Sequence, residues 1–294
     1  SEYDFVYTGK NRYFGEDHQV LKENSVKEFG MNFHTDWNLN DVLTLTNGYQ
    51  YFSNQVSYTI EADGFIAKDN QGNPTHGLYS QLNYTKPDKW YLDFGIRINY
   101  YADLKTINLQ PRLYAEKSIG EYTSLKASAE VKSQAISQVI EWATADFGLE
   151  NQIWALTSET DSPLLISHQY SLGFLVAKKG WHLDVDFYYR QINGLNSATR
   201  GFESADSSFS EGTSTTKGID LLLKKKISKY STWLGYTYSL TDFSFSMLNQ
   251  GQAFRGNNDI THSLTWVHSY KWKGLQFSLG WKYRTGLPYS KPDL

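Results

Sequence analysis

Cysteine is absent from the 294 residues, methionine occurs twice and proline only six times. Without cysteine the chain can build neither a disulfide framework nor a thiolate metal site. No run approaches the roughly 18 apolar residues of a membrane-crossing helix, and the mean hydropathy is −0.53. A membrane-spanning barrel is not excluded by the same numbers, because every second residue of a barrel strand faces a polar interior and dilutes the average. A net charge of −3 and a pI near 6.2 provide no basic field, so nucleic acid is excluded as a partner. The first residues, SEYDFVYTGK, have neither a basic start nor an apolar core, and no signal peptide is read there.

Aromatic residues, in contrast, are plentiful: 16% of the chain, with 22 tyrosines and 9 tryptophans. Such rings suit a boundary that is apolar on one side and wet on the other, as at a membrane interface. The dominant pattern is alternation with period two, in segments of roughly ten residues, the length a tilted strand needs to cross a bilayer. Between Trp90 and Tyr101, Trp90, Leu92, Phe94, Ile96, Ile98 and Tyr100 fall on one face and Tyr91, Asp93, Gly95, Arg97 and Asn99 on the other. Phe29, Met31, Phe33 and Trp37 oppose Asn32, His34 and Asp36, and Trp181, Leu183, Val185, Phe187 and Tyr189 oppose His182, Asp184, Asp186 and Arg190. Leu275, Phe277, Leu279, Trp281 and Tyr283 do the same, and weaker versions run near 42–52, 77–85, 107–116, 122–132, 168–177, 214–225, 231–240 and 259–270. About twelve antiparallel strands in one unit are expected.

The connections alternate in length. Short, turn-like ones lie at Asn38-Leu39-Asn40-Asp41, Lys86-Pro87-Asp88-Lys89, around Gly120, at Lys178-Lys179-Gly180, and near 227–230 and 271–274. Long polar stretches lie near 53–76, 133–167, 192–213 and 241–258. Loops sorted in this way characterise outer-membrane barrels, with short periplasmic turns and long extracellular loops. A sandwich or propeller has no reason to sort them. Gly30, Gly48, Gly95, Gly173, Gly218, Gly235 and Gly280 all fall on the polar face, which leaves two explanations open: something packed inside the barrel, or the curvature of the wall.

Candidate chemistry is sparse. His182, Asp184, Asp186 and Arg190 line one polar face and could house a catalytic base, although a hydrated wall whose charges pair with neighbouring strands presents the same pattern. No G-x-S-x-G occurs. His262 and His268, on the lipid-side parity of one strand, stand roughly 20 Å apart and cannot share a metal. Asp69-Asn70-Gln71-Gly72-Asn73 lacks the closing Glu of an EF-hand loop and reads as an ordinary turn. Neither a metal nor a cofactor is expected, nor enzymatic activity.

Four segments carry a family resemblance: Phe29-Gly30-Met31-Asn32-Phe33 with Trp37, Gly148-Leu149-Glu150-Asn151-Gln152-Ile153-Trp154, Tyr188-Tyr189-Arg190-Gln191-Ile192-Asn193-Gly194, and Arg284-Thr285-Gly286-Leu287-Pro288-Tyr289. In these the chain resembles the TonB-dependent outer-membrane receptors, particularly those of Bacteroidota. The resemblance implies an all-β fold, an antiparallel transmembrane barrel of 22 strands, of which residues 1–294 would be an internal segment. The plug domain, the TonB box and the closing C-terminal strands are not in this sequence. It implies energy-coupled uptake of a scarce nutrient of the iron–siderophore, cobalamin or oligosaccharide class across the bacterial outer membrane. The implied partners are the lipid bilayer, the receptor's own plug, the TonB-ExbB-ExbD complex acting through it and, in some receptors, a surface lipoprotein. Trp142 and Trp154 in the loop near 133–167, and Phe202 in the next, are the apolar side chains placed to stack on such a ligand, or else to pack loops together. Two other readings stay open: a passive pore or adhesin barrel without a plug, and a barrel enzyme.

Overall fold

The computed structural model describes residues 2–13, 16–62, 65–141, 151–158, 162–198, 209–256 and 258–288. It is one sheet, antiparallel along its whole main path. Strands β1 (Glu2–Tyr13), β2 (Glu16–Asn40), β3 (Leu43–Ala62), β4 (Phe65–Lys86), β5 (Trp90–Tyr101), β6 (Thr106–Ser118) and β7 (Thr123–Gln134) form its first half. After the hairpin β8 (Ile136–Glu141) and β9 (Asn151–Leu156) come β10 (Leu165–Lys178), β11 (Trp181–Ala198), β12 (Phe209–Ile227) and β13 (Tyr230–Phe245). A single 3₁₀ turn and β14 (Phe254–Arg255) precede β15 (His262–Trp272) and β16 (Leu275–Arg284). Sequential neighbours pair throughout, except that β7 pairs β10 and β13 pairs β15. The twelve expected strands are all in place, and β1 adds a thirteenth to the path.

Register turns the alternation into two surfaces. One rung joins Trp37, Leu45, Leu82, Phe94, Leu113, Ala129, Tyr170 and Tyr189. Another joins Leu125, Phe174, Val185, Leu221, Tyr236, Leu264 and Tyr283. Large apolar side chains on this face are open, among them Phe33 at 68%, Leu172 at 66% and Leu279 at 70% exposure. In water so continuous an apolar face would oppose folding, whereas in a bilayer it is the solvated face. Trp90 and Tyr100 bracket β5 ten positions apart, roughly 25 Å across a bilayer at barrel tilt, the height of such a band. At the far edge of the band His76 meets Tyr49 through a 2.8 Å hydrogen bond and lies tilted between the rings of Tyr51 and Tyr100, at centroid distances of 5.2 and 6.4 Å. His262 and His268, on the same face, are held separately by Tyr236 at 2.8 Å and Tyr230 at 2.6 Å.

The short turns are where expected, except that β2 runs on through Asn40 and the first turn falls at 41–42. Lys179-Gly180 and Lys273-Gly274 hold both central residues at positive φ, the two-residue geometry whose twist matches the flanking strands. At the other end two expectations are corrected. The stretch near 53–76 is not a loop: β3 continues to Ala62 and β4 starts at Phe65, and the segment read as a turn, Asp69 to Asn73, lies inside β4. Beyond the bilayer both faces are wet, so polar residues replace the alternation without ending the strand. On the long-loop side only two residues separate β1 from β2 and β3 from β4, and only 102–105 separate β5 from β6, so the parity of loop lengths fails in the first half of the sheet.

Candidate functional site: the concave face and its hairpin

The other surface is polar. Asp36, Thr46, Gln81, Gly95, Arg112, Glu130, Gln169, Arg190 and Thr216 share one rung across it. That this face is concave follows from the hairpin. β8 pairs in parallel with the end of β11, Ser197 opposite Ile140, while Trp154 on β9 meets Asn24 of β2. Along the sheet β11 and β2 lie seven strand spacings apart, roughly 34 Å if flat. Two short strands bridge that span only if the sheet curls around them.

The docking is specific. The Asn24 carboxamide accepts from the Trp154 backbone N–H at 2.8 Å and donates to its carbonyl at 3.2 Å, so a side chain takes the place of a neighbouring strand. Asn24 is 6% exposed, and beside it Val26, Val56 and Leu156 form a buried cluster flanked by Ile136 and Trp154. At the base of the hairpin the fully buried Tyr101 hydrogen-bonds Ser133 at 2.7 Å, seating the start of the insertion on the low β5–β6 wall.

Below the hairpin the concave face holds a basin of about 520 Å³, lined among others by Arg97, Asn99, Gln110, Arg112, Glu130 and Arg190. Glu130 is engaged by Lys132 at 2.8 Å. Arg97 donates to Asn99 at 2.7 Å and Arg112 to Gln81 at 3.1 Å, both neutral acceptors. None of the three arginines pairs with a described carboxylate. The basin is therefore electropositive and suited to an anionic group.

Nearer the short turns two members of the suspected cluster on β11 are engaged by a lysine of another strand. Lys126 of β7 reaches both Asp184 and Asp186, the latter at 2.8 Å. The two carboxylates share one ammonium. No group of three or more metal-ligating side chains occurs among the described residues.

The polar-face glycines have a third explanation besides internal packing and curvature. A methyl group at Gly95 would meet Arg112 Nε at 2.5 Å, one at Gly218 the Tyr188 hydroxyl at 2.5 Å, and those at Gly48 and Gly173 would strike Tyr79 and Asp186. Large side chains of the adjoining strand lie across these glycines. Gly30, Gly235 and Gly280 have no such neighbour within 3.0 Å.

Of the three aromatic residues singled out in the sequence, the structure places only Trp154, half-buried against the hairpin's docking cluster. Trp142 and Phe202 lie outside the described residues. Sequence reading put Arg97 and Arg190 on the polar face without joining them. It passed over Asn24, whose partner lies 130 residues away.

No family model matches the sequence, and no curated protein sequence matches it. Solved structures do. The FrpB iron transporter from Neisseria meningitidis (F3-3 variant) aligns over 96% of this chain and 50% of its own, with a TM-score of 0.66 and 15% identity. The siderophore receptor PirA from Pseudomonas aeruginosa covers 99% of this chain and 58% of its own at TM-score 0.59 and 11% identity. The copper transporter OprC covers 96% and 48% at TM-score 0.66 and 10% identity. The chain thus spans about half the length of the structures it matches. The likeness is one of fold, that of outer-membrane transporter barrels.

Proposed function

We propose that the chain is part of the barrel wall of a TonB-dependent receptor that imports a scarce nutrient through the bacterial outer membrane. The observation that carries the reading is a sheet with a lipid-solvated outer band and a polar concave face that retains unneutralised arginines. The transporters of similar fold and the four sequence segments support it. Of the nutrient classes named above, Arg97, Arg112 and Arg190 favour an anionic iron chelate over a neutral oligosaccharide. A plug presenting carboxylates to the wall would meet the same charges. In this reading the strands are a rigid wall, the long-loop end captures the nutrient, and no residue performs covalent chemistry. The Bacteroidota type rests on sequence resemblance alone.

The test is uptake of radiolabelled ferric siderophore by cells carrying the full-length protein, with and without a functional TonB. Uptake that requires both supports the reading, and transport indifferent to loss of TonB overturns energy coupling. One observation favours a second reading. The β8–β9 hairpin itself lies across the concave face, as a passive pore constricted by its own loop would require. Steady ion conductance of the full-length protein in planar bilayers would select that reading.

A further inference from the structure

The short-turn rim is electrically lopsided. Segments 178–180, 224–229 and 271–274 carry eight lysines and no carboxylate, in a chain whose net charge is −3. They are neighbours in space, since β10, β11, β12, β13, β15 and β16 are consecutive in the sheet. By comparison, the turns of the first half contain Asp41, Asp88 and Glu121. None of the eight lysines forms an ion pair with a described carboxylate. Such a field is unfavourable unless something anionic lies against it.

Three of these lysines are held in a common way. Lys178 Nζ lies 4.6 Å from the centre of the Tyr122 ring, Lys225 Nζ 4.4 Å from that of Trp181, and Lys273 Nζ 5.4 Å from that of Trp272. Lys225 also donates to the Lys179 carbonyl at 3.0 Å. Trp181 and Trp272 are 49% and 48% exposed. Register puts Trp181, Lys178 and Lys225 on the apolar face, directly below the rung Val176, Leu183, Leu223 and Leu234. An ammonium seated on a ring at the edge of an apolar band meets a lipid where its phosphate is, with the acyl chains continuing along the leucines.

We propose that the short-turn rim of β10 to β16 is a collar that binds the phosphate headgroups of anionic phospholipids, through Lys178, Lys225 and Lys273 seated on Tyr122, Trp181 and Trp272. The proposal rests on the membrane-barrel reading, and its occupant is a lipid rather than free phosphate because the apolar rung adjoins the charges.

The experiment reconstitutes the full-length protein in phosphatidylcholine vesicles containing a trace of spin-labelled phosphatidylglycerol or spin-labelled phosphatidylcholine. Its readout is the fraction of label immobilised at the protein. Phosphatidylglycerol is expected to be preferred, and K178Q/K225Q/K273Q to erode the preference by roughly fivefold per lysine at low salt. The corresponding triple arginine variant should keep the preference, as should K105Q on the long-loop side. Equal immobilisation of both labels by an inserted barrel overturns the collar alone. Displacement of the phosphatidylglycerol by inorganic phosphate at constant ionic strength would assign the site to the free anion and overturn the lipid. Failure of the protein to insert would overturn the membrane reading, and the collar with it.

Discussion

Asn24→Ala should release the β8–β9 hairpin while leaving the wall intact. The substitution removes three hydrogen bonds of a side chain that is 6% exposed: two to the main chain of Trp154, at 2.8 and 3.2 Å, and one to the Ser57 carbonyl of the neighbouring strand at 3.2 Å. Each such bond is worth about 1 kcal/mol net, and a buried partner left unmet costs about 1–3 kcal/mol more. The contacts among Val26, Val56 and Leu156 remain and keep the total towards the low end, about 2–4 kcal/mol of local opening free energy. That corresponds to a rise of roughly thirtyfold to several-hundredfold in the open population. Amide hydrogen exchange on the full-length protein in micelles reads it directly. Protection should fall by that factor in residues 136–141 and 151–156 and stay unchanged in β11 to β13. Asn24→Asp keeps the acceptor, loses the donor and should fall between. Unchanged protection in the hairpin, or an equal loss across all strands, would refute the idea that one carboxamide holds it.

Three further outcomes are expected. Phe94→Arg, in the middle of the apolar band and 51% exposed, should destabilise the barrel in lipid by about 2–4 kcal/mol, whereas Gln169→Arg on the same rung level of the concave face should cost under about 1 kcal/mol, both measured by denaturant unfolding from vesicles. Lys126→Ala should destabilise by about 1–3 kcal/mol by leaving Asp184 and Asp186 side by side, and adding Asp184→Asn should restore part of it; a double-mutant cycle with no coupling would contradict the shared ammonium. Because the sequence has no cysteine, Met247→Cys should be labelled by a membrane-impermeant maleimide on intact cells and Lys273→Cys only after the outer membrane is opened, with the reverse order inverting the orientation.

What the sequence makes legible is what one strand can report about itself. Between Trp90 and Tyr101 the lipid and the wet interior impose opposite demands on alternate residues, so both faces are written locally. The extensions of β3 and β4 past the bilayer look like loop in the sequence because water on both sides imposes no alternation. The brevity of 102–105 gave no warning, since a turn of that length is common on either side of a sheet. At the site, Arg97 and Arg190 could be assigned to the polar face individually, but their assembly with Arg112 into one basin depends on register across the three strands between β5 and β11. Asn24 is harder still. A lone asparagine in a polar stretch differs from its neighbours only through a backbone 130 residues away.

The glycines of the concave face bear on the bore. Where Gly95, Gly218 and Gly48 leave hollows in the wall, Arg112, Tyr188 and Tyr79 lie down into them rather than standing off as bristles. The lining is in effect inlaid. Long polar side chains are kept for hydrogen bonding along the wall, yet their bulk is taken out of the cross-section, so the clear width at these rungs is set closer to the backbone than to the side-chain tips. Filling one hollow would push its tenant inward, and the barrel would narrow at that level without any strand changing place.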